Sequence, residues 1–119
     1  MERLRWEKRD GKDIFVIDLS YMQDKQETIN VADEGRKICM QQPEHSLLSV
    51  TYVKGTHFNS EVGEAMKRLA ADTEPHSKKA VVAGVEGLQK VIFSAVQKFS
   101  GRQFELYDTL EEALDALSR

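Results

Sequence analysis

The sequence predicts a single α/β domain over residues 1–119: a mostly parallel five-stranded sheet flanked by helices, in the order β-β-α-β-α-β-α-β-α. Three observations carry this. A chain of 119 residues is the length of one domain. Its composition, 40% hydrophobic and 31% charged with both signs mixed, suits one buried core rather than a disordered chain. From Ile14 onward, short β-branched runs alternate with amphipathic stretches of helical period, the pattern of parallel strands joined by right-handed crossovers.

The elements follow in order. Leu4–Glu7 reads as a short first strand, and Asp10-Gly11 after it is a hairpin turn signal. Ile14-Phe15-Val16-Ile17-Asp18-Leu19 is apolar on both faces, so it reads as a strand covered on both sides, antiparallel to the first. Asp24–Gln41 has helical spacing with Ile29, Ala32, Ile38 and Cys39 on one face, Asp24 and Glu27 at capping-box spacing, and Pro43 as the stop. Ser46–Val53 is the next strand. Asn59 or Ser60 caps a second helix whose stripe is Val62, Ala65, Met66, Leu69 and Ala70. A turn over Asp72–Ser77 holds Pro75, and Lys79–Gly84 is a further buried strand. The helix from Glu86 to Phe99 carries Leu88, Val91, Ile92, Ala95, Val96 and Phe99 at i, i+3, i+4, i+7, i+8 and i+11, so Val91, Ile92, Ala95 and Val96 are expected to face the sheet. Gly101 ends it. Gln103–Tyr107 alternates as an edge strand does, and Thr109-Leu110-Glu111-Glu112 is a capping box opening a helix with the stripe Leu110, Ala113, Leu114, Leu117.

Composition also excludes function classes. A net charge of −3 and a pI near 5.6 argue against a general nucleic-acid binder. The single Cys39 makes neither a disulfide framework nor a cysteine-based zinc site, and it fits a reducing compartment. No apolar run is long enough to span a membrane, and Met1–Glu7 has no signal-peptide h-region, so the expected location is cytoplasmic. Residues 67–102 carry seven bases against three acids, and residues 103–119 carry five acids against Arg119. That asymmetry is a partner surface or a solvated face.

The run Lys79-Ala80-Val81-Val82-Ala83-Gly84, an amphipathic helix, and then Phe104-Glu105-Leu106-Tyr107-Asp108-Thr109-Leu110-Glu111-Glu112-Ala113-Leu114-Asp115-Ala116-Leu117 resembles the bacterial STAS-like family. Its members are related to anti-sigma-factor antagonists and are grouped with lipid-binding Sec14-like domains. The likeness in element order covers nearly the whole chain and implies a STAS-like fold. Sigma-factor switches of the family resemble one another in an Asp-Ser-Ser/Ala-Gly motif at a helix N-terminus, whose serine is phosphorylated. The matching place here is Lys54–Ser60, which lacks both the Asp and the Gly after the serine. The phosphoswitch role therefore does not carry over residue by residue; the resemblance implies only that Thr56 or Ser60 lies within reach of a kinase.

In an open parallel sheet, ligands sit outside the C-terminal strand ends. Three loops should gather there, Asp18–Gln23, Lys54–Ser60 and Gly84–Gly87, with adjacent crossovers leaving in opposite directions to open a crevice. The candidate ligand- or phosphate-binding residues are Asp18, Lys54, Gly55, Thr56, His57, Asn59, Ser60 and Gly84. Lys54 offers a cation, Gly55 a flexible backbone, Thr56 and Ser60 hydroxyls, Asn59 an amide and His57 a titratable imidazole, beside the free N–H groups of residues 60–62. In the plainer reading Asn59 and Ser60 only cap the helix, Gly55 and Gly84 only turn the chain, and Asp18 is a capping carboxylate rather than a base. Tyr21 and Met22 line the site's mouth or cover the end of the sheet. His45, His57 and His76 have no partner at metal-ligand spacing, so no metal or cofactor is expected. No nucleophile–base–orienter set is visible either.

The function expected first is a non-enzymatic regulatory or protein-interaction module, controlled by an anionic ligand or phosphorylation at Lys54–Ser60. The alternative is a small-molecule or lipid carrier with an apolar cavity between helices and sheet, for which Gly35, Gly63 and Ala65 leave room. The expected partners are a protein and a small anionic or lipid ligand, with a homodimer through the edge strand Gln103–Tyr107.

Overall fold

The structure, a computed structural model, describes residues 2–119. Its elements are β1 (Leu4–Arg9), β2 (Lys12–Asp18), α1 (Lys25–Met40), β3 (Leu47–Tyr52), α2 (Ser60–Thr73), β4 (Ser77–Ala83), α3 (Gln89–Ser100), β5 (Glu105–Tyr107) and α4 (Leu110–Ser118), with a 3-10 turn at Glu74–His76. Local chemistry explains most boundaries. Asp10 and Gly11 both have positive φ, 51° and 78°, the geometry of a tight two-residue hairpin turn. The Asp24 carboxylate accepts from the Glu27 N–H at 3.0 Å and starts α1. Asn59 Oδ1 accepts from the Val62 N–H at 2.9 Å and starts α2. Thr109 and Glu112 complete a reciprocal capping box on α4. Gly101 closes α3 at φ 72°.

The sheet order is β1-β2-β3-β4-β5. The sheet is mixed rather than mostly parallel. The Asp10-Gly11 turn sends β2 back antiparallel to β1, while β2–β3, β3–β4 and β4–β5 pair parallel. Each parallel strand is added on the same side of the one before. Right-handed crossovers that all step one way keep their helices on one face, and α1, α2 and α3 pack there side by side. The opposite face is covered by α4, which contacts the strands directly. No strand reverses the order, so the crevice expected from crossovers leaving in opposite directions has no place to form.

Both faces of the sheet are dry, as the doubly apolar β2 run predicts. Phe15, Ile17 and Leu19 enter the core beneath α1–α3, with Val62, Met66, Phe93 and Val96. Ile14 and Val16 enter the core under α4, with Val50, Val81, Leu114 and Leu117. Among the described residues no helix is long and apolar enough to cross a membrane.

The face of α3 differs from the expected one. Gln89, Phe93 and Val96 are buried, and Ile92 is half-buried against the core. Val91 and Ala95 are exposed, Val91 by 66%. The reason is the width of the apolar arc. Apolar residues at i, i+3 and i+4 leave two ways to seat the helix, and the bulk of Phe93 decides in favour of the row Gln89–Phe93–Val96.

Candidate functional site

The three loops predicted to meet at the C-terminal strand ends do meet. The Tyr21 N–H donates to the Lys54 carbonyl at 2.8 Å, and the His57 N–H donates to the Met22 carbonyl at 2.9 Å. Gln23 Nε2 donates to the Gly55 carbonyl at 2.9 Å. Two glycines permit this convergence. Gly84 has φ 82°, and a Cβ there would lie 2.8 Å from the Lys54 nitrogen. Gly55 has φ 69°, and a Cβ there would lie 2.4 Å from the Tyr21 ring. Positive φ and a crowded approach together call for glycine.

The gathered residues divide into those the fold consumes and those it leaves free. Asp18 is 2% exposed and fully engaged. Its Oδ1 accepts from the Ser20 hydroxyl at 2.6 Å and the Ser20 N–H at 3.0 Å; its Oδ2 accepts from Arg5 at 3.1 Å. Burial raises the pKa of this carboxyl, but the Ser20 and Arg5 hydrogen bonds outweigh burial and hold it below the usual carboxylate value. Asp18 therefore ties β1 to the end of β2 and does not face the rim as a ligand group.

Thr56 is also withdrawn. It is buried, its hydroxyl donates to the Leu19 carbonyl at 2.5 Å, and it is out of a kinase's reach. Asn59 is the cap of α2 and takes the Val62 N–H, so the free amides of the helix start are those of Ser60 and Glu61 rather than of residues 60–62. Gly84 is buried beneath Lys54 and its N–H donates to the Tyr107 carbonyl at 2.8 Å.

Lys54, His57 and Ser60 remain exposed. His57 lies in a depression of about 330 Å³ together with Gln23, Gly55, Thr56, Phe58, Glu86, Leu88 and Gln89. Lys54 and Ser60 are outside that lining, so the predicted site is a rim plus a neighbouring hollow rather than one pocket. Glu86 sets a carboxylate in the hollow, which makes the rim the better place for an anion.

Gln89 was not legible as a site component, whereas Tyr21 was read as lining the mouth or covering the end of the sheet. Gln89 is 6% exposed, and its Nε2 donates to the carbonyls of Val53 at 2.9 Å and Thr56 at 2.8 Å, while its Oε1 accepts from the Glu86 N–H at 3.0 Å. It fastens the Lys54–Ser60 loop to the first turn of α3. A glutamine at a helix start reads as solvated, and only the fold brings the Val53 and Thr56 carbonyls to it. Tyr21 holds φ 58° with its ring 61% exposed over Gly55. A bulky residue in left-handed backbone costs free energy, which the Tyr21 N–H bond to Lys54 helps to offset.

Beneath α2 and α3, Cys39, Met66, Leu69, Phe93 and Val96 line a partly open pocket of about 30 Å³. A void of that size admits one water molecule and no acyl chain. The room expected at Gly35 and Gly63 is taken by neighbours, because a Cβ there would meet Ile17 at 3.0 Å and Ile92 at 3.2 Å. Cys39 itself is buried, and burial pushes its thiol up to about 12.

No protein-family model, curated protein or solved structure matches this chain. The fold and the rim define an α/β domain with a sequentially ordered mixed sheet. The STAS-like resemblance rests on the residues that suggested it.

Proposed function

We propose that the protein is a non-enzymatic regulatory module of STAS-like type, acting by protein contact and controlled by an anionic group at the Lys54–Ser60 rim. One observation supports the reading: the Ser60 hydroxyl is exposed at the uncapped first amides of α2, and Lys54 is exposed at the other end of the same loop, which Gln89 holds from below. A phosphate on Ser60, or an anion from a partner, would meet helix N–H groups and the N-terminal end of the helix dipole. Ser60 is the hydroxyl open to modification, because Thr56 spends its own on Leu19.

Titration of the labelled protein with inorganic phosphate tests this. Amide shifts should concentrate at Lys54, Ser60 and Glu61 and shrink in the Lys54→Ala, Ser60→Ala double variant, with the melting temperature nearly unchanged. Shifts scattered over the surface, or a double variant that unfolds while binding per folded molecule persists, would reduce the loop to a cap.

A further inference from the structure

We infer that the outer face of α3 is a docking surface for an acidic amphipathic helix of a partner protein. Apart from Leu88, which also lines the hollow beside His57, it lies outside the Lys54–Ser60 loop and goes beyond the control proposed there. Leu88, which takes helical φ and ψ just ahead of α3, begins a row with Val91, Ala95 and Phe99 at i, i+3, i+7 and i+11. That is the spacing of a helix–helix seam. The row is not spent on the core, since Gln89, Phe93 and Val96 already seat α3 on the sheet. Leu88 is 69% exposed, Val91 66% and Phe99 63%. Contiguous exposed apolar side chains mark an interaction site.

Charge selects the occupant. The segment Gln89–Ser100 contains no acidic residue, and its two cations, Lys90 and Lys98, are exposed beside the row. Neither forms an ion pair among the described residues. A concave strip of Lys90, Val91, Ser94, Ala95 and Lys98 runs along this edge. Lys67 of α2 stands 5.6 Å over the Phe99 ring at the other edge. The complement is therefore an apolar row with carboxylates on its flanks.

A second copy fits poorly. Antiparallel pairing of two α3 helices about a two-fold axis sets each lysine flank against its own equivalent. Parallel pairing brings those lysines to α2, where Glu64 is already held by Lys67 at 3.3 Å. The acidic α4 of another copy has the charge, but Ala113, Leu114 and Leu117 are buried on its own sheet. An anionic bilayer would press against the whole helical layer, including the exposed acids Glu34, Glu61 and Glu64. A single docked helix meets only the lysine-edged row.

The test uses a fluorescent amphipathic peptide of about 18 residues with leucine at a and d and glutamate at e and g, against a twin with lysine at e and g. The glutamate peptide should bind the full chain, with amide shifts centred on residues 88–99, and the lysine peptide should not. Lys90→Glu with Lys98→Glu should weaken the glutamate peptide at least about tenfold and gain binding of the lysine twin. Val91→Ser should weaken the glutamate peptide, and the Lys54→Ala, Ser60→Ala variant should bind it as wild type does. Circular dichroism and the melting temperature confirm that these surface variants fold. Equal binding of both peptides, no binding of either, or shifts away from α3 overturns the proposal. It is overturned in favour of a membrane if only vesicles with about 30% phosphatidylserine bind. It is overturned in favour of self-association if the free chain sediments as a dimer that Val91→Ser abolishes.

Discussion

Asp18 and Gln89 show how two polar side chains set the end of the sheet. Both are buried, both are fully hydrogen-bonded, and each joins segments distant in sequence. Asp18→Asn loses the charged contact to Arg5 and should cost about 2 kcal/mol at neutral pH, the range for hydrogen bonds to charged groups. The folded-state pKa of Asp18 lies below its ordinary value. Its stabilisation is therefore complete above the unfolded pKa of about 3.9 and is lost as the pH falls through the folded value. Urea unfolding across the acid range should show wild type and Asp18→Asn converging below about pH 4; parallel curves would mean that the ion pair contributes nothing. Gln89→Ala strands the Thr56 carbonyl, while the Val53 carbonyl keeps the Thr56 N–H, and should cost about 1–3 kcal/mol, the penalty for a buried unsatisfied group. Its amide shifts should reach the Lys54–Ser60 loop, which a purely local helix effect would leave untouched.

At the scale of the element, α3 is the informative case. Its core row predicts that Phe93→Ala costs about 3–5 kcal/mol, the usual price of truncating a buried aromatic. Val91→Ala, on the outer row, should stay within about 0.5 kcal/mol, as surface changes do. Chemical denaturation of the pair decides which face packs. On α1, Cys39 should resist alkylation in the native state and react on unfolding, because its thiol is buried and shifted to about 12. Its folded pKa is raised, so its contribution is present below the unfolded value of about 8.5 and fades as the pH rises above it. Cys39→Ala should remove that part of the alkaline loss. Element starts were legible because capping is local: Asp24, Asn59 and Thr109 each bond within three residues. The face of α3 was not legible, because Val91 and Phe93 are both apolar and only the sheet beneath separates them.

At the scale of the whole molecule, two cores on opposite sides of one sheet must both be filled. Leu114 is 1% exposed in the core that α4 closes, and Leu114→Ala should cost about 2–5 kcal/mol. A loss as large from so short a terminal helix, read by thermal unfolding as one cooperative transition, would show that α4 belongs to the folding unit. A separate early transition would show that it does not. Three helices on one face and one on the other also leave α3 at the border of the helical layer, joined by a short loop to the three-residue edge strand β5. That position is why its outer row stays uncovered.

The sequence by itself determined the order of elements, the hairpin at Asp10-Gly11, the caps, the two-sided burial of β2 and the loops that meet beyond the strand ends. Each depends on short-range chemistry or on the two periods of apolar residues. Only the tertiary structure decided the strand order, and with it the loss of the expected crevice, since right-handed crossovers permit steps in either direction along a sheet. It alone decided that Asp18 and Thr56 are consumed as internal hydrogen-bond partners while Lys54 and Ser60 stay free. Whether a polar side chain is a ligand group or a strut depends on which backbone groups other strands bring within about 3 Å of it.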